Sequence, residues 1–386
     1  MMKLSLSLSV LGAAFLLASS TVAAPLEQRA ALPVPPTGAD PAITTRQSVL
    51  DAAIQCPWEP NQSFANVKKP LLLIPGTGNT GAQTYEHNWK FIGKALGFDP
   101  CWVSGPNQML ADSQIAAEYV FNAVDRLYAA SGNKKVPVMA WSQGNLVTQW
   151  VLTFFPSSRA KVDRFVAMSP DFRGTLTSYT RALSPAGPSI KQQATESRFL
   201  NALHNAGGLN SYVPTTTIWS FYDEVVQPQS GPDASARLNG ASNFMIQDLC
   251  GPIWFLEHSQ VLFQDATTTI AKRALTDASG KAPQGAFKAD ICSQLIPKEI
   301  PIPDRWLVGS TITIAATALA FGPGQQVCEP LLKDYSKPYD KTKSTNQCEV
   351  PITEALEGKL KAAGLQNKKS ISDIIWSNNY DFKKNI

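Results

Sequence analysis

Between Lys69 and Phe221 two kinds of hydrophobic pattern alternate along the chain. The first is a short continuous apolar run bounded by turn residues. Pro70–Pro75 (P-L-L-L-I-P) has this form, and Cys101–Ser104, Val136–Trp141, Arg164–Met168 and Thr216–Phe221 follow it. Such runs predict strands buried on both faces. The second pattern has helical spacing. Ser113–Ala130 carries Ile115, Tyr119, Val120, Ala123, Val124 and Leu127 on one stripe, behind Asp112 as N-cap and ahead of Gly132. Asn145–Phe155 predicts a further helix, stopped by Pro156. Alternation of this kind predicts an α/β fold with a mostly parallel central sheet flanked by helices on both faces. No repeat and no internal linker interrupts it, so one domain is expected.

Two segments stand outside the alternation. Residues 175–207 are helical in part but broken by Pro185, Gly187 and Pro188; the pattern suits a cover over a site or a surface helix pair. Residues 351–386 follow the last cysteine as a Lys-rich, amphipathic helical extension. The N-terminus has another character. A cationic start at Met1–Lys3, an apolar run at Leu4–Leu17 and small residues at Ser19–Ala24 predict a signal peptide over 1–24. Residues 25–31, with Arg29, read as a short propeptide, which leaves 32–350 for the main domain.

Composition then narrows the function. With 386 residues, 44% hydrophobic and 17% charged, the chain is an ordinary globular protein. A net charge of +4, with the basic residues scattered, excludes a nucleic-acid binder. After Ala24 no apolar stretch suits a transmembrane helix. A secreted chain accounts for the even number of cysteines: Cys56, Cys101, Cys250, Cys292, Cys328 and Cys348 are disulfide candidates whose pairing these positions leave open. No C-x-x-C occurs and only three histidines are present, so no metal site is expected. Asn61-Gln62-Ser63 is a candidate glycosylation site.

The candidate chemistry centres on Ala140-Trp141-Ser142-Gln143-Gly144. An A-x-S-x-G pentad arises by chance roughly 0.3 times in a chain of this length, so it carries little alone. Its position carries more: the serine stands where a buried strand turns into a helix, the site of a nucleophile elbow. The residues two before and two after the serine approach each other there and must be small; alanine adds one methyl to the usual glycine. Of the three histidines, His87 precedes the serine and His204 lies near a helix end, where a cationic ring suits the dipole. His258, opening a polar loop after Ile253-Trp254-Phe255-Leu256, is the candidate base. Asp223 ends the Thr216–Phe221 run and is the candidate orienting acid, with Glu224 as its rival and Asp171 placed beside the pocket. Glu257 should point elsewhere. Oxyanion donors are expected from Gln143 and from the loop Pro75–Gly81, with Thr77 the best candidate.

The stretches L-L-L-I-P-G-T-G (71–78), D-P-C-W-V-S (99–104), W-S-Q-G (141–144), P-D-F-R-G-T (170–175), N-A-G-G-L (205–209), D-E-V-V-Q-P-Q (223–229), C-G-P (250–252) and C-E-P (328–330) occur in order. In these the chain resembles the fungal lipases similar to Candida antarctica lipase B, over nearly all of residues 40–350. The resemblance implies the α/β-hydrolase fold, with Ser142 as nucleophile, Asp223 as acid, His258 as base, and Thr77 and Gln143 as oxyanion hole. It also implies the disulfides Cys56–Cys101, Cys250–Cys292 and Cys328–Cys348, a pocket floor at Trp141, and an acyl channel walled by the helix around Ile312–Leu319. The segment 175–200 diverges most, and Asn145 stands where the family can carry glycine. The expected function is a secreted, monomeric, cofactor-free lipase acting on fatty esters, with oil–water interfaces in reach. Its activity should rise as His258 loses its proton, near pH ~6–7 for an ordinary imidazole. The alternatives are an esterase for short or polymeric esters and a non-catalytic binding protein on a hydrolase fold.

Overall fold

A computed structural model describes residues 34–178 and 185–342. The expected signal peptide, the propeptide, Cys348 and the extension 351–386 lie outside the described residues. Among the described residues seven strands form one sheet in the order β1-β3-β2-β4-β5-β6-β7. They are β1 Ile54–Gln55, β2 Pro70–Ile74, β3 Asp99–Val103, β4 Val136–Trp141, β5 Val162–Met168, β6 Thr215–Trp219 and β7 Ser242–Met245. Only β1 runs antiparallel, against β3; every other pairing is parallel. This is the mostly parallel sheet that the alternating patterns predict, and it agrees with the α/β-hydrolase fold that the resemblance implies.

The continuous apolar runs become strands because successive side chains serve two cores. Leu72, Ile74, Val138, Ala140, Phe165 and Ala167 enter one cluster. Leu71, Leu73, Met139, Trp141, Val166 and Met168 enter the other. Helices Ser113–Ala130 and Gln143–Phe154 cover the first face through Val120, Val124, Val147 and Trp150. Helices Trp89–Ala95 and Asp265–Thr276 cover the second through Trp89, Ile92, Ile270 and Ala274.

Several bounds differ from the sequence pattern. β3 starts at Asp99 because the parallel register with β2 pairs it with Pro70. β5 starts at Val162, whose partner is Val136. The serine helix begins at Gln143, directly after the turn. Segment 185–207 is not a surface helix pair: it forms helices Pro188–Gln192 and Arg198–Asn205, which bury Ile190, Phe199, Leu200 and Leu203. Gln192 fastens this segment to the Ser113 helix. It donates to the Asp112 cap at 2.6 Å and accepts the Ser113 N–H at 2.7 Å.

Cys56–Cys101 and Cys250–Cys292 are disulfide-bonded, as the resemblance implies. The third expected pair includes Cys348 and is outside the described residues. Among the described residues no helix is long and apolar enough to cross a membrane.

Candidate active site

β4 ends at Trp141 and the following helix starts at Gln143, so Ser142 carries the whole change of direction. Its backbone sits at φ 53° and ψ −132°, a region that costs a non-glycine residue on the order of 1–3 kcal/mol. The strain is held by neighbours. The Ser142 N–H donates to Met168 O on β5 at 3.0 Å. Asn145 donates through Nδ2 to Ser142 O at 2.9 Å and to Met168 O at 2.8 Å, clamping the turn to the adjacent strand. No signal in the sequence identifies Asn145 as a clamp, because both acceptors are main-chain carbonyls.

The elbow also explains which small residue is indispensable. A Cβ on Gly144 would lie 2.6 Å from the carbonyl oxygens of both Ile74 and Pro75. Backbone cannot yield there, whereas Ala140 is accommodated, fully buried in the sheet. The alanine in the pentad is therefore compatible with the turn and the second glycine carries the constraint.

Ser142, Asp223 and His258 are brought together from the ends of β4 and β6 and the loop after residue 253. Ser142 Oγ lies 2.8 Å from His258 Nε2, and His258 Nδ1 lies 2.7 Å from Asp223 Oδ2. The other Asp223 oxygen accepts the N–H groups of Val225 at 3.0 Å and Val226 at 2.7 Å. This fixes the carboxylate as acceptor and makes His258 Nδ1 the protonated nitrogen, leaving Nε2 to accept from the serine. Burial alone would push the His258 pKa down; Asp223, Glu224 and Glu257 outweigh it, and the ring titrates above its ordinary value. Glu224 is thus a supporting group: its carboxylate accepts the backbone N–H of His258 at 3.0 Å. Glu257 turns away, accepting from Ser259.

The remaining predicted residues surround this line. Trp141 is buried, its ring centroid 5.0 Å from that of His258, and its Nε1 donates to His258 O at 3.3 Å. The loop Pro75–Gly81 runs hard against the elbow, since a Cβ on Gly76 would fall 2.8 Å from Ser142 Cβ. Thr77 Oγ lies 2.8 Å from Gln143 Oε1 and 3.2 Å from Gln193 Oε1. The residue Gln193, from the covering segment, was not among the sequence candidates. Gln143 is the first residue of its helix, so its N–H has no intrahelical acceptor and faces the positive end of the dipole. Helix Ser310–Phe321 closes over the same loop: a Cβ on Gly78 would fall 2.9 Å from Ala315 Cα. Asp171 is fully buried and neither carboxyl oxygen has a hydrogen-bond partner in a neighbouring residue. Burial pushes its pKa up to about 7.

The other histidines are occupied elsewhere. His87 pairs with Asp304 at 2.8 Å and His204 Nε2 lies 2.8 Å from Phe172 O. Among the described residues no cluster of three or more His, Cys, Asp or Glu is able to hold a metal ion.

No protein-family model matches the chain. It is 41% identical over 341 residues to lipase B of Pseudozyma antarctica, a match spanning 88% of this chain and 97% of that protein. The crystal structure of Aspergillus fumigatus lipase B superposes with a TM-score of 0.70 at 33% identity, covering 80% of this chain and 75% of that one. At this identity and coverage, with the sheet in agreement, the chain belongs to the lipase B family of α/β hydrolases.

Proposed function

We propose that the protein is a secreted serine hydrolase of lipase type that cleaves triacylglycerols and other fatty esters through an acyl-enzyme. The observation that carries this reading is the unbroken line Ser142 Oγ–His258–Asp223, with contacts of 2.8 and 2.7 Å, at a strained strand-to-helix turn. His258 Nε2 takes the hydroxyl proton as Ser142 Oγ attacks the ester carbonyl. The tetrahedral oxyanion is met by the Gln143 N–H and by Thr77. Collapse breaks the bond to the alcohol, which leaves with the proton from His258. Water then enters, His258 accepts its proton, and the fatty acid is released as Ser142 regains hydrogen. Asp223 orients the ring and stabilises its cation. Trp141 and Asp171 line the pocket, and Ser310–Phe321 walls the acyl side.

Lipid substrates are favoured by the exposed apolar side chains around these elements. Trp306 and Leu307 precede the covering helix, and Ile253 and Phe255 precede His258; Ile253 is 91% and Trp306 86% exposed. Residues 1–24 direct secretion, 25–31 are removed, and 32–350 form the catalytic domain, a monomer. Two disulfides and an exposed Asn61 as glycan acceptor suit that route.

Hydrolysis of p-nitrophenyl esters by Ser142→Ala tests the mechanism. The expected loss in kcat is about 10⁵-fold or more, together with loss of fluorophosphonate labelling; full activity would overturn it. Rates on tributyrin, triolein and short p-nitrophenyl esters test the substrate class, and an enzyme that turns over only the short or polymeric esters is an esterase instead.

A further inference from the structure

Beyond the C-terminal ends of β6 and β7 lies a second cleft of about 170 Å³. None of Ser142, His258, Thr77 or Gln143 lines it. Its walls are apolar and largely aromatic: Trp219 closes β6, Phe221 and Tyr222 follow it, and Met245 closes β7. Tyr222 Oη donates to the carbonyl of Pro252, fixing one side.

Two polar side chains in this wall have donors that the fold leaves unused. Gln229 is 1% exposed. Its Oε1 accepts the Ala236 N–H at 3.2 Å, which fixes the orientation of the amide, and its Nε2 has no partner. Arg237 lays its guanidinium over the Trp219 ring, 5.4 Å from the centroid, and its buried Nε is also unpartnered. Among the described residues no carboxylate pairs with Arg237, although most arginines of the domain have one or a set of carbonyls. A buried amide donor left unsatisfied costs about 1–3 kcal/mol, so its retention beside an unpaired cation calls for an acceptor from outside. Stacking on Trp219 occupies the guanidinium face and leaves its N–H edge free, the edge that takes a carboxylate.

We propose that this cleft is a binding site for a small organic carboxylate with an apolar tail, its head held by Arg237 and Gln229 and its tail by Trp219, Phe221, Tyr222 and Met245. The lining argues against an inorganic anion. A phosphate or sulfate would surrender its hydration to an aromatic wall offering a single cation, whereas a short fatty acid matches both halves of the cleft. The site shares its wall with the acid of the candidate triad, because Trp219 to Asp223 are consecutive and Gln247, also in the lining, holds the Phe221 N–H at 2.8 Å.

The test is calorimetric titration of hexanoate into the full-length protein, the Ser142→Ala variant, Arg237→Gln and Ser230→Trp, with 1-hexanol as the uncharged control. Ser230 lines the cleft, and the indole fills it without removing any donor. Expected are one saturable hexanoate site retained in Ser142→Ala, weakened at least about tenfold by Arg237→Gln and abolished by Ser230→Trp, with hexanol failing to compete. Thermal unfolding of each variant certifies the fold. Absence of saturable binding, equal affinity for hexanol, or binding unchanged in both cleft variants would overturn the proposal. Because the titration does not depend on Ser142, it stands or falls separately from the ester-hydrolase reading.

Discussion

Asp171 follows the end of β5 and Asp223 follows the end of β6, neighbouring parallel strands, and both are fully buried close to one imidazole. Their environments nevertheless differ in the hydrogen-bond donors they offer. Asp223 receives three hydrogen bonds, from His258 Nδ1 and the N–H groups of Val225 and Val226. Asp171 receives none from a neighbouring group, and its pKa rises to about 7. Burial is common to the two, so burial does not distinguish them; the supply of donors does. One strand end surrounds a carboxyl with donors beside a histidine, and the next holds a carboxyl that is neutral through most of the acidic range.

Removing the charge of Asp223 breaks the comparison most severely. In Asp223→Asn the carboxylate becomes an amide, His258 Nδ1 loses its carboxylate acceptor, and the ring no longer has Nε2 held ready to accept a proton. Ester turnover is expected to fall about 10⁴-fold at neutral pH with KM little changed. A loss below tenfold would mean that another carboxylate orients the ring, and Glu224→Gln in the same background would then identify it.

Asp171→Asn tests the other half and has a smaller effect, on stability. A carboxyl whose folded pKa lies above its unfolded value carries no penalty below the unfolded pKa. The penalty grows as pH rises from about 4 towards 7 and is constant beyond. It amounts to a few kcal/mol at most, by the order-of-magnitude conversion of pKa to free energy. Relative to the parent, the Asn variant should therefore gain on the order of several °C in Tm at pH 8, and the difference should change steadily between pH 4 and 7. A Tm difference independent of pH would show that Asp171 does not titrate in this range.

The two strand ends differ in legibility too. β2, β4, β5 and β6 were readable because strands buried on both faces are unbroken apolar runs, and Ser142 and Asp223 were readable because they terminate such runs. β7, Ser242-Asn243-Phe244-Met245, was not: it is an edge strand with alternating burial, and four residues of mixed character give no period to count. β1 spans only two residues and exists through its pairing with Val103 and Trp102. Long-range polar partners were illegible for a different reason. Asn145 to Met168 O and Glu224 to the His258 N–H join groups through main-chain atoms, which every residue type supplies equally. The contrast between Asp171 and Asp223 belongs to this class, since nothing local to either aspartate reports how many amides will point at it.

Glu224 offers the finest test of how charge reaches the histidine. Asp223 acts by direct contact with the ring, while Glu224 acts through the His258 backbone and through space, so its removal should leave the ring in place and change only its proton affinity. Both acids favour the imidazolium; the folded ring is therefore titrated above the ordinary imidazole value, and the acid limb of kcat/KM should lie above pH 6.5 in the parent enzyme. In Glu224→Gln the amide oxygen can still accept the His258 N–H, so the geometry survives while the charge is lost. The acid limb should then move to lower pH, with the plateau kcat within about twofold of the parent. The shift should be largest at low ionic strength. A limb that stays in place would confine the electrostatic support of His258 to Asp223 and Glu257, and a collapse of the plateau would make Glu224 a structural clamp on the loop rather than a tuning charge.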